Sequence, residues 1–175
     1  MTPEFTSENI RFMAEAIALA KQAAALGEVP IGCVITKDGE IVGRGYNRRE
    51  TGKTALGHAE LMAIEDACRN LGGWRLWQCR LYVTLEPCPM CAGAIINARI
   101  PVVVYGAKDP KAGSVGSITD LFSMPYNHHP QVISGVMETE CAGLLRDFFR
   151  SLRIRKKSGE TPANIDKSTL SGYDK

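Results

Sequence analysis

The sequence predicts one α/β domain built on a central mixed sheet with helices on both faces. Segments with a helical period of apolar residues alternate along the chain with short β-branched runs, and this alternation favours a sheet covered on both faces. An Asp38-Gly39 turn joins two of these runs as a hairpin, so at least one strand pair must be antiparallel. With 175 residues, 45% of them hydrophobic, the chain suits a single domain with a sizeable core.

The first half of the chain predicts a helix, a hairpin and a second helix. Ser7 is a suitable N-cap for the first helix, and Gly27 is a suitable stop. The second helix begins at the loop that delivers His58 and stops at a pair of glycines. The predicted elements are a helix over 8–26, strands over 31–36 and 41–47, a loop over 48–57 and a helix over 58–71.

The second half repeats the strand and helix alternation. Pro87 and Pro89 end one strand and are tolerated only in the first turn of the helix that follows. A long loop then carries one short helix near residues 119–123, and long loops in compact domains are often functional. The predicted elements are strands over 81–85, 102–106 and 131–136, helices over 88–98 and 140–152, and a loop over 107–130.

The C-terminal part is basic and then polar. The chain leaves the last helix through residues 150–157, of which five in eight are basic. Residues 158–175 are polar and lack periodicity, which predicts a disordered tail. The sequence therefore divides into a folded domain over 1–157 and a tail over 158–175.

Charge and hydropathy exclude several classes of protein. The net charge of +2 is too small to mark the whole surface as nucleic-acid-binding, so any basic patch must be local. The first thirty residues lack the pattern of a secretory signal, and no segment has the roughly 20 apolar residues needed to cross a bilayer. We therefore expect a soluble intracellular protein. In reducing cytosol its six cysteines are not expected to form disulfides, and Cys33, Cys68 and Cys141 are interpreted as small buried side chains.

Two motifs predict a catalytic zinc site. Cys88 and Cys91 lie one helical turn apart, so both sulfurs can face one point, and His58 can supply a nitrogen ligand. Three protein ligands with one open position are typical of a catalytic rather than a structural zinc site. Glu60 follows the histidine by two residues and would lie at the open position, where a general base belongs. Together, His-x-Glu and Pro-Cys-x-x-Cys form the pattern typical of zinc-dependent nucleobase deaminases.

Other interpretations of the same residues are weaker. A lone Cys-x-x-Cys also suits a redox pair or half of a structural zinc site, but a second Cys-x-x-Cys is absent and Cys79 is badly spaced. Side chains two residues apart diverge in a regular helix, so the convergence of His58 and Glu60 on a metal requires an end-of-helix geometry. At the start of the following helix, the positive dipole end favours the thiolate forms of both cysteines.

Several residues outside the motifs are candidates for substrate contact. Asn47 ends a strand ahead of the histidine loop and could contact a base or ribose. His128 and His129 are adjacent in a loop without metal-ligand spacing, so solvent exposure and substrate contact remain equal alternatives. Glu86 is expected to be a solvent-exposed carboxylate at a strand end. The basic run 150–157 is either a solvated helix end or a phosphate contact, and Lys108 and Lys111 could add to such a surface.

The chain resembles the bacterial tRNA-specific adenosine deaminases of the cytidine deaminase-like superfamily over about residues 8–157. The zinc motif alone defines only the superfamily, whereas the block around the two cysteines and the Asp-Phe-Phe ending narrow the resemblance to the tRNA branch. The segments that carry the resemblance are 28–32, 45–47, 58–60, 81–94, 105–109, Gly113, 127–128 and 147–149.

The resemblance implies a three-layer α/β/α fold with a five-stranded mixed sheet. It implies hydrolytic deamination of adenosine to inosine at the wobble position of a tRNA anticodon, one Zn²⁺ per subunit, and a cytoplasmic homodimer whose subunits both contact the RNA. His58, Cys88 and Cys91 would bind the metal, and Glu60 would carry the protons. The substrate-binding residues implied by the resemblance are Val29, Asn47, Asp109, Asn127, His128, Phe149 and Arg153.

Two other functions remain as alternatives. A deaminase of free bases or nucleosides could use the same scaffold, but it would need a closed pocket and no affinity for RNA. A zinc or RNA-binding module without catalysis is the second alternative, and Glu60 argues against it because a structural zinc site does not need that carboxylate.

Overall fold

Residues 6–159 are described by the structure, a computed structural model, and they form one sheet between two layers of helices. The five strands are β1 (Gly32–Lys37), β2 (Glu40–Tyr46), β3 (Cys79–Leu85), β4 (Val102–Ala107) and β5 (Gln131–Ser134). The helices are α1 (Ser7–Ala25), α2 (Arg49–Gly52), α3 (Ala59–Leu71), α4 (Pro89–Ala98) and α5 (Glu138–Lys157).

The sheet is mixed and has the strand order β2-β1-β3-β4-β5. The hairpin of β1 and β2 is antiparallel, as the Asp38-Gly39 turn predicts, and β1 also pairs antiparallel with β3. The pairs β3–β4 and β4–β5 are parallel because a helix or long connection returns the chain to the same edge. The predicted fold class is therefore confirmed. The carboxyl ends of β3 and β4 lie side by side, and the loops that follow them form the site described below.

Each face of the sheet buries one apolar cluster. Phe12 and Met13 of α1 pack with Tyr82 of β3 and Cys141 of α5 on one face. On the other face, α3 and α4 cover side chains of the same central strands, including Val83. Strand β3 thus contributes to both clusters, which explains why its residues are buried without interruption from Leu81 to Thr84.

Helix α3 lies unusually close to β2. Gly43 and Gly45 face Ala63 and Ala67, and a Cβ atom on Gly45 would lie 2.6 Å from the Ala63 backbone nitrogen. Only glycine therefore fits at these strand positions, and the small helix side chains complete the contact. This packing fixes the start of α3, which carries two of the predicted site residues, relative to the sheet.

Four local predictions differ from the structure. Thr6 rather than Ser7 caps α1, because its extended backbone lets its hydroxyl accept from the Asn9 N–H at 3.1 Å. The predicted loop 48–57 contains the short helix α2. The short helix predicted near 119–123 is present, but as a 3-10 helix that is confined to Leu121–Ser123. Helix α5 continues to Lys157, so the basic run lies within the helix and not beyond it.

All six cysteines carry free thiols, as predicted, although Cys68 is only half-buried. Among the described residues, no helix has the length and apolar character needed to cross a membrane. The predicted disordered tail lies outside the described residues from position 160 onward.

Candidate metal centre and substrate cavity

His58 and Glu60 converge because α3 begins between them. His58 is the N-cap residue of α3 and has extended backbone angles of φ −81° and ψ 147°. Glu60 lies in the first turn, where it is 4% exposed. The change from extended to helical backbone at Ala59 removes the divergence that a regular helix would impose. The end-of-helix geometry required by the sequence is thus present.

Cys88 and Cys91 lie at the start of α4. Cys88 is the N-cap residue with an extended backbone, and Pro89 occupies the first helical position, where its missing N–H costs no hydrogen bond. The Nδ1 atom of His58 lies 3.6 Å from the Cys88 sulfur and 3.5 Å from the Cys91 sulfur. Possible ligand atoms of all three side chains lie within 4.8 Å of one another. Two helix N-termini therefore bring the three predicted ligands to one point.

The chemistry of these three side chains fits zinc. One imidazole nitrogen and two cysteine sulfurs form a borderline-soft donor set that Zn²⁺ prefers over the all-oxygen sites of Mg²⁺ or Ca²⁺. Hydrogen bonding with Cys91, assisted by His58, lowers the pKa of Cys88 to about 4 despite its burial. The pKa of Cys91 is raised by the same sulfur–sulfur hydrogen bond and by burial. One thiolate ligand is therefore favoured at neutral pH, and metal binding would displace the remaining thiol proton.

Glu60 has the properties of a proton carrier near neutral pH. Burial raises its pKa to about 7, because removing water disfavours the charged carboxylate, and the nearby His58 only partly opposes this effect. The pKa of His58 is itself raised, chiefly by its hydrogen bond with Cys88. A carboxyl group whose pKa is close to neutral can accept and release a proton within one reaction cycle.

A cavity of about 410 Å³ opens above the cluster. This volume lies within the range of pockets that hold a small ligand of nucleoside size. Glu60, His58 and Cys88 line the cavity together with Leu145 and Phe149 of α5. The basic residues along its wall come from separate elements and are Arg49, Lys108, Lys111 and Arg153. The cavity thus combines a proton carrier, apolar walls and positive charge.

The structure brings most of the predicted substrate-binding residues to this cavity. Val29, Asn47, Asp109, Phe149 and Arg153 all line it. The Asn47 amide is already engaged, since its Nδ2 donates to the Val29 carbonyl at 3.2 Å and its Oδ1 accepts from the Arg49 N–H at 3.3 Å.

Asn127 and His128 do not line the cavity. The His128 ring nitrogen lies 2.8 Å from the carbonyl oxygen of Ile100, just before β4 begins. This position is at the end of the parallel strands opposite the cavity. The role of Asn127 and His128 in RNA contact stays a prediction.

Two carboxylates beside the cavity are buried, and their burial was not predicted from the sequence. Glu28 is fully buried and accepts from the backbone N–H groups of Glu50 at 3.3 Å and Thr51 at 2.6 Å. Glu86 is 2% exposed, so the expectation of a solvent-exposed strand-end carboxylate is wrong. The hydrogen-bond partners of both carboxylates lie more than twenty residues away along the chain, so no local sequence pattern indicates them. The cavity residues Leu145 and Arg49 likewise follow only from the packing of α5 and α2.

The chain matches known deaminases in sequence. Residues 6–107, more than half of the chain, match the family described as "Cytidine and deoxycytidylate deaminase zinc-binding region". A tRNA-specific adenosine deaminase of Bacillus subtilis is 51% identical over 148 residues, which are 84% of this chain and 92% of that protein. Another, of Streptococcus pyogenes serotype M1, is 47% identical over 156 residues, which are 89% of this chain and 91% of that protein.

Solved structures show the same architecture. One comes from studies of A-to-I editing by tRNA:A34 deaminases at the wobble position of transfer RNA, and it is 47% identical with a TM-score of 0.75. The match covers 77% of this chain and 99% of that chain. A guanine deaminase from Nitrosomonas europaea has a TM-score of 0.68 at 23% identity, covering 82% and 85% of the two chains, and this likeness shows the fold alone.

Proposed function

Because the chain belongs to the zinc-binding deaminases and, within them, to the tRNA-specific adenosine deaminases, we propose that its cavity converts the wobble adenosine of a tRNA anticodon to inosine. The reaction is a hydrolysis: the oxygen of water becomes the 6-oxo group of inosine, and the 6-amino group leaves as ammonia. The observation that carries this function is the Glu60 carboxylate, buried beside the His58, Cys88 and Cys91 cluster at the floor of a nucleoside-sized cavity.

His58, Cys88 and Cys91 would hold one Zn²⁺ through one nitrogen and two sulfur atoms. Zinc held there would supply Lewis acidity, which lowers the pKa of a coordinated water from 15.7 towards about 7. Glu60 takes up the proton that the water loses and delivers it to the ring nitrogen next to the reacting carbon. It then assists proton transfer to the departing amino group. Its pKa of about 7 suits both uptake and release.

The cavity walls suit a nucleoside extruded from a single-stranded loop. Phe149 and Leu145 supply apolar surface for the base, and the Asn47 amide also lines the cavity. Arg49, Lys108, Lys111 and Arg153 place positive charge where the phosphates on either side of the base must pass. Unstacking costs little in an anticodon loop, because its bases are not held in a duplex.

The protein acts as a homodimer in the cytoplasm, where tRNA is found. A second subunit would bury apolar side chains that are exposed in the single chain, among them Leu56, Ile118 and Tyr126, each more than 50% exposed. Equilibrium sedimentation should give twice the chain mass of 19.1 kDa. A species that remains at the mass of one chain at micromolar concentration would rule the homodimer out.

The test of the activity is incubation of the zinc-loaded protein with an anticodon stem-loop that carries adenosine at the wobble position. Inosine is measured by mass spectrometry, and parallel reactions contain free guanine, cytosine and adenosine. We expect inosine in the stem-loop and no turnover of the free bases. Turnover of a free base with an untouched stem-loop would instead assign the protein to the deaminases of free bases or nucleosides.

A further inference from the structure

Glu86 is a buried carboxylate that the chemistry above does not use. It follows β3 directly and precedes the zinc ligand Cys88 by two residues. The loop after β4 wraps around it, and this loop includes the cavity residues Lys108, Asp109 and Lys111. We propose that Glu86 is a positioning residue that holds this loop, and with it the basic wall of the cavity, at a fixed place relative to the metal centre.

The hydrogen bonds of Glu86 come from two places in the loop, Asp109 near its start and residues 115–117 further along. Its Oε2 accepts from the Asp109 N–H at 3.0 Å and from the Ser117 hydroxyl. Its Oε1 accepts from the Ser117 N–H at 3.0 Å and from the Val115 N–H at 3.3 Å. Four donors from one loop thus converge on one carboxylate. Its two oxygens take the place of the backbone carbonyl acceptors that regular secondary structure would provide.

The loop also fits closely around this side chain. A Cβ atom on Gly113 would collide with the Glu86 carboxylate, so the backbone can approach it only at glycine. The Ser114 N–H donates to the Pro87 carbonyl at 2.9 Å, and the Glu86 N–H donates to the Ala107 carbonyl at 2.8 Å. The loop is therefore attached on both sides of Glu86 to the segment that leads into Cys88.

Asp109 adds a second turn within the loop. Its Oδ1 accepts from the backbone N–H groups of Lys111 at 2.9 Å and Ala112 at 3.2 Å. Because the Asp109 N–H is itself held by Glu86, the direction in which Lys108 and Lys111 leave the backbone depends on the Glu86 carboxylate. Glu86 thus acts on the substrate through these residues and not by contact with the reacting base.

The role of the lysines rests on the proposed function, whereas the holding of the loop does not. The first measurement is therefore amide hydrogen exchange of the zinc-loaded protein without RNA. The variant Glu86→Gln keeps the size of the side chain but turns one acceptor oxygen into a donor that faces N–H and O–H groups. We expect exchange at Asp109, Val115 and Ser117 to speed up about tenfold.

A matched control is Glu28→Gln. Glu28 is also a buried carboxylate that accepts from two backbone N–H groups, but its partners Glu50 and Thr51 belong to α2 and not to the loop after β4. Glu28→Gln should speed up exchange at Thr51 and leave exchange at Asp109 and Ser117 unchanged. Glu86→Gln should speed up exchange at Asp109 and Ser117 and leave exchange at Thr51 unchanged. Unchanged protection of Asp109 and Ser117 in a folded Glu86→Gln protein would overturn the proposal, whatever the activity of the enzyme.

Kinetics with the wobble-adenosine stem-loop distinguish positioning from chemistry. With Glu60 and the zinc ligands in place, Glu86→Gln should raise KM about tenfold and change kcat less than about threefold. In a Lys108→Ala, Lys111→Ala background, the same substitution should raise KM only about twofold, because the residues it positions are gone. Equal effects in both backgrounds would show that Glu86 does not act through the lysines.

A milder variant covers the case in which Glu86→Gln fails to fold or loses zinc. Ser117→Ala removes one donor and leaves the carboxylate intact. Exchange at Asp109 should increase about two- to fivefold, with zinc content and melting temperature unchanged. Wild-type exchange at Asp109 in this variant would also contradict the proposal. If wild-type protein leaves the stem-loop untouched while the exchange results hold, the proposed function fails and the role of Glu86 as the anchor of the loop stands.

Discussion

Glu60 carries the protons of the proposed reaction, so its substitution separates chemistry from metal binding. Glu60→Gln keeps the shape of the buried side chain but cannot take up a proton. We expect inosine formation to fall by about 10²–10⁴, the usual contribution of general acid–base catalysis. Zinc content, measured by mass spectrometry of the metal, should stay at one per chain.

The control for this substitution is Glu65→Gln on the same helix. Glu65 is solvent-exposed and pairs with Arg69 at 3.2 Å, away from the cavity. It should change neither zinc content nor rate. Near wild-type activity in Glu60→Gln would remove Glu60 from its assigned role, and loss of zinc would mean that it supports the metal centre instead.

The metal ligands give a second prediction at this scale. Cys88→Ala removes the sulfur with the lower pKa, and a site left with one sulfur and one nitrogen should hold little zinc. We expect the bound metal to fall from one to below about 0.2 per chain, since changes at such sites weaken binding strongly. Inosine formation should fall with it. The control is Cys68→Ala, which removes a half-buried thiol on α3. This variant should retain both the bound zinc and inosine formation.

The metal-binding cluster and the carboxylate beside it were predictable from the sequence, whereas the residues that support them were not. His58, Glu60, Cys88 and Cys91 lie in two short motifs whose spacing follows from what a metal needs. Glu86 was expected at the surface, because its four donors lie 23 to 31 residues further along the chain. A carboxylate that is stabilised by distant backbone groups leaves no pattern in the sequence around it.

Among the elements, the close contact of α3 with β2 decides where His58 and Glu60 lie. A methyl group at Gly45 would meet the α3 backbone and the Met62 side chain, so Gly45→Ala must push the helix away from the sheet. Overpacking of this kind costs about 1–3 kcal/mol, and each kcal/mol lowers the melting temperature of a domain of this size by about 2–4 °C. Calorimetry should show this loss, and inosine formation should fall because the start of α3 moves.

A matched control for this contact is Gly143→Ala in α5. A Cβ atom there would meet only the Arg146 side chain, at an ordinary 3.6 Å. Since alanine favours a helix over glycine by about 0.8–1.0 kcal/mol, this variant should melt at the same or a higher temperature. If Gly45→Ala also melted at the wild-type temperature, the contact would not limit the position of α3.

The order and type of the main elements followed from periodicity, but their ends depended on features that periodicity does not carry. Helix α5 was predicted to stop at Leu152, just after an apolar face that ends at Phe149, yet it continues to Lys157. Arginine and lysine are good helix formers, and positive charge is favourable at a helix C-terminus, so a solvated last turn needs no apolar face. Helix α2 has only four residues and was too short to show a period.

For the whole molecule, the mixed sheet and its two helical layers were predictable, whereas the distribution of charge around the cavity was only partly predictable. The net charge of +2 is too small to indicate a basic face. Folding brings Arg49 of α2, Lys108 of the loop after β4 and Arg153 of α5 to one opening. The sequence suggested that Lys108, Lys111 and the basic run 150–157 share one surface, and the fold adds Arg49 to it.

This local charge gives a last prediction, which concerns how tRNA binding depends on salt. Arg153 lines the cavity, and Arg155 is exposed in the last turn of α5. If both contact phosphates, Arg153→Glu combined with Arg155→Glu should weaken binding and make the plot of log K against log salt concentration shallower by about 1–2. Binding of the stem-loop would be measured by fluorescence anisotropy between low and physiological salt.

The control reverses two exposed charges that do not line the cavity, Lys21 on α1 and Arg44 on β2. It changes the net charge of the protein by the same amount, so a general electrostatic effect would weaken binding equally in both variants. A contact at α5 requires instead that only the substitutions in α5 change the slope. Equal slopes in the α5 variant and the wild type would place the phosphates elsewhere, and α5 would then serve the cavity only through Leu145 and Phe149.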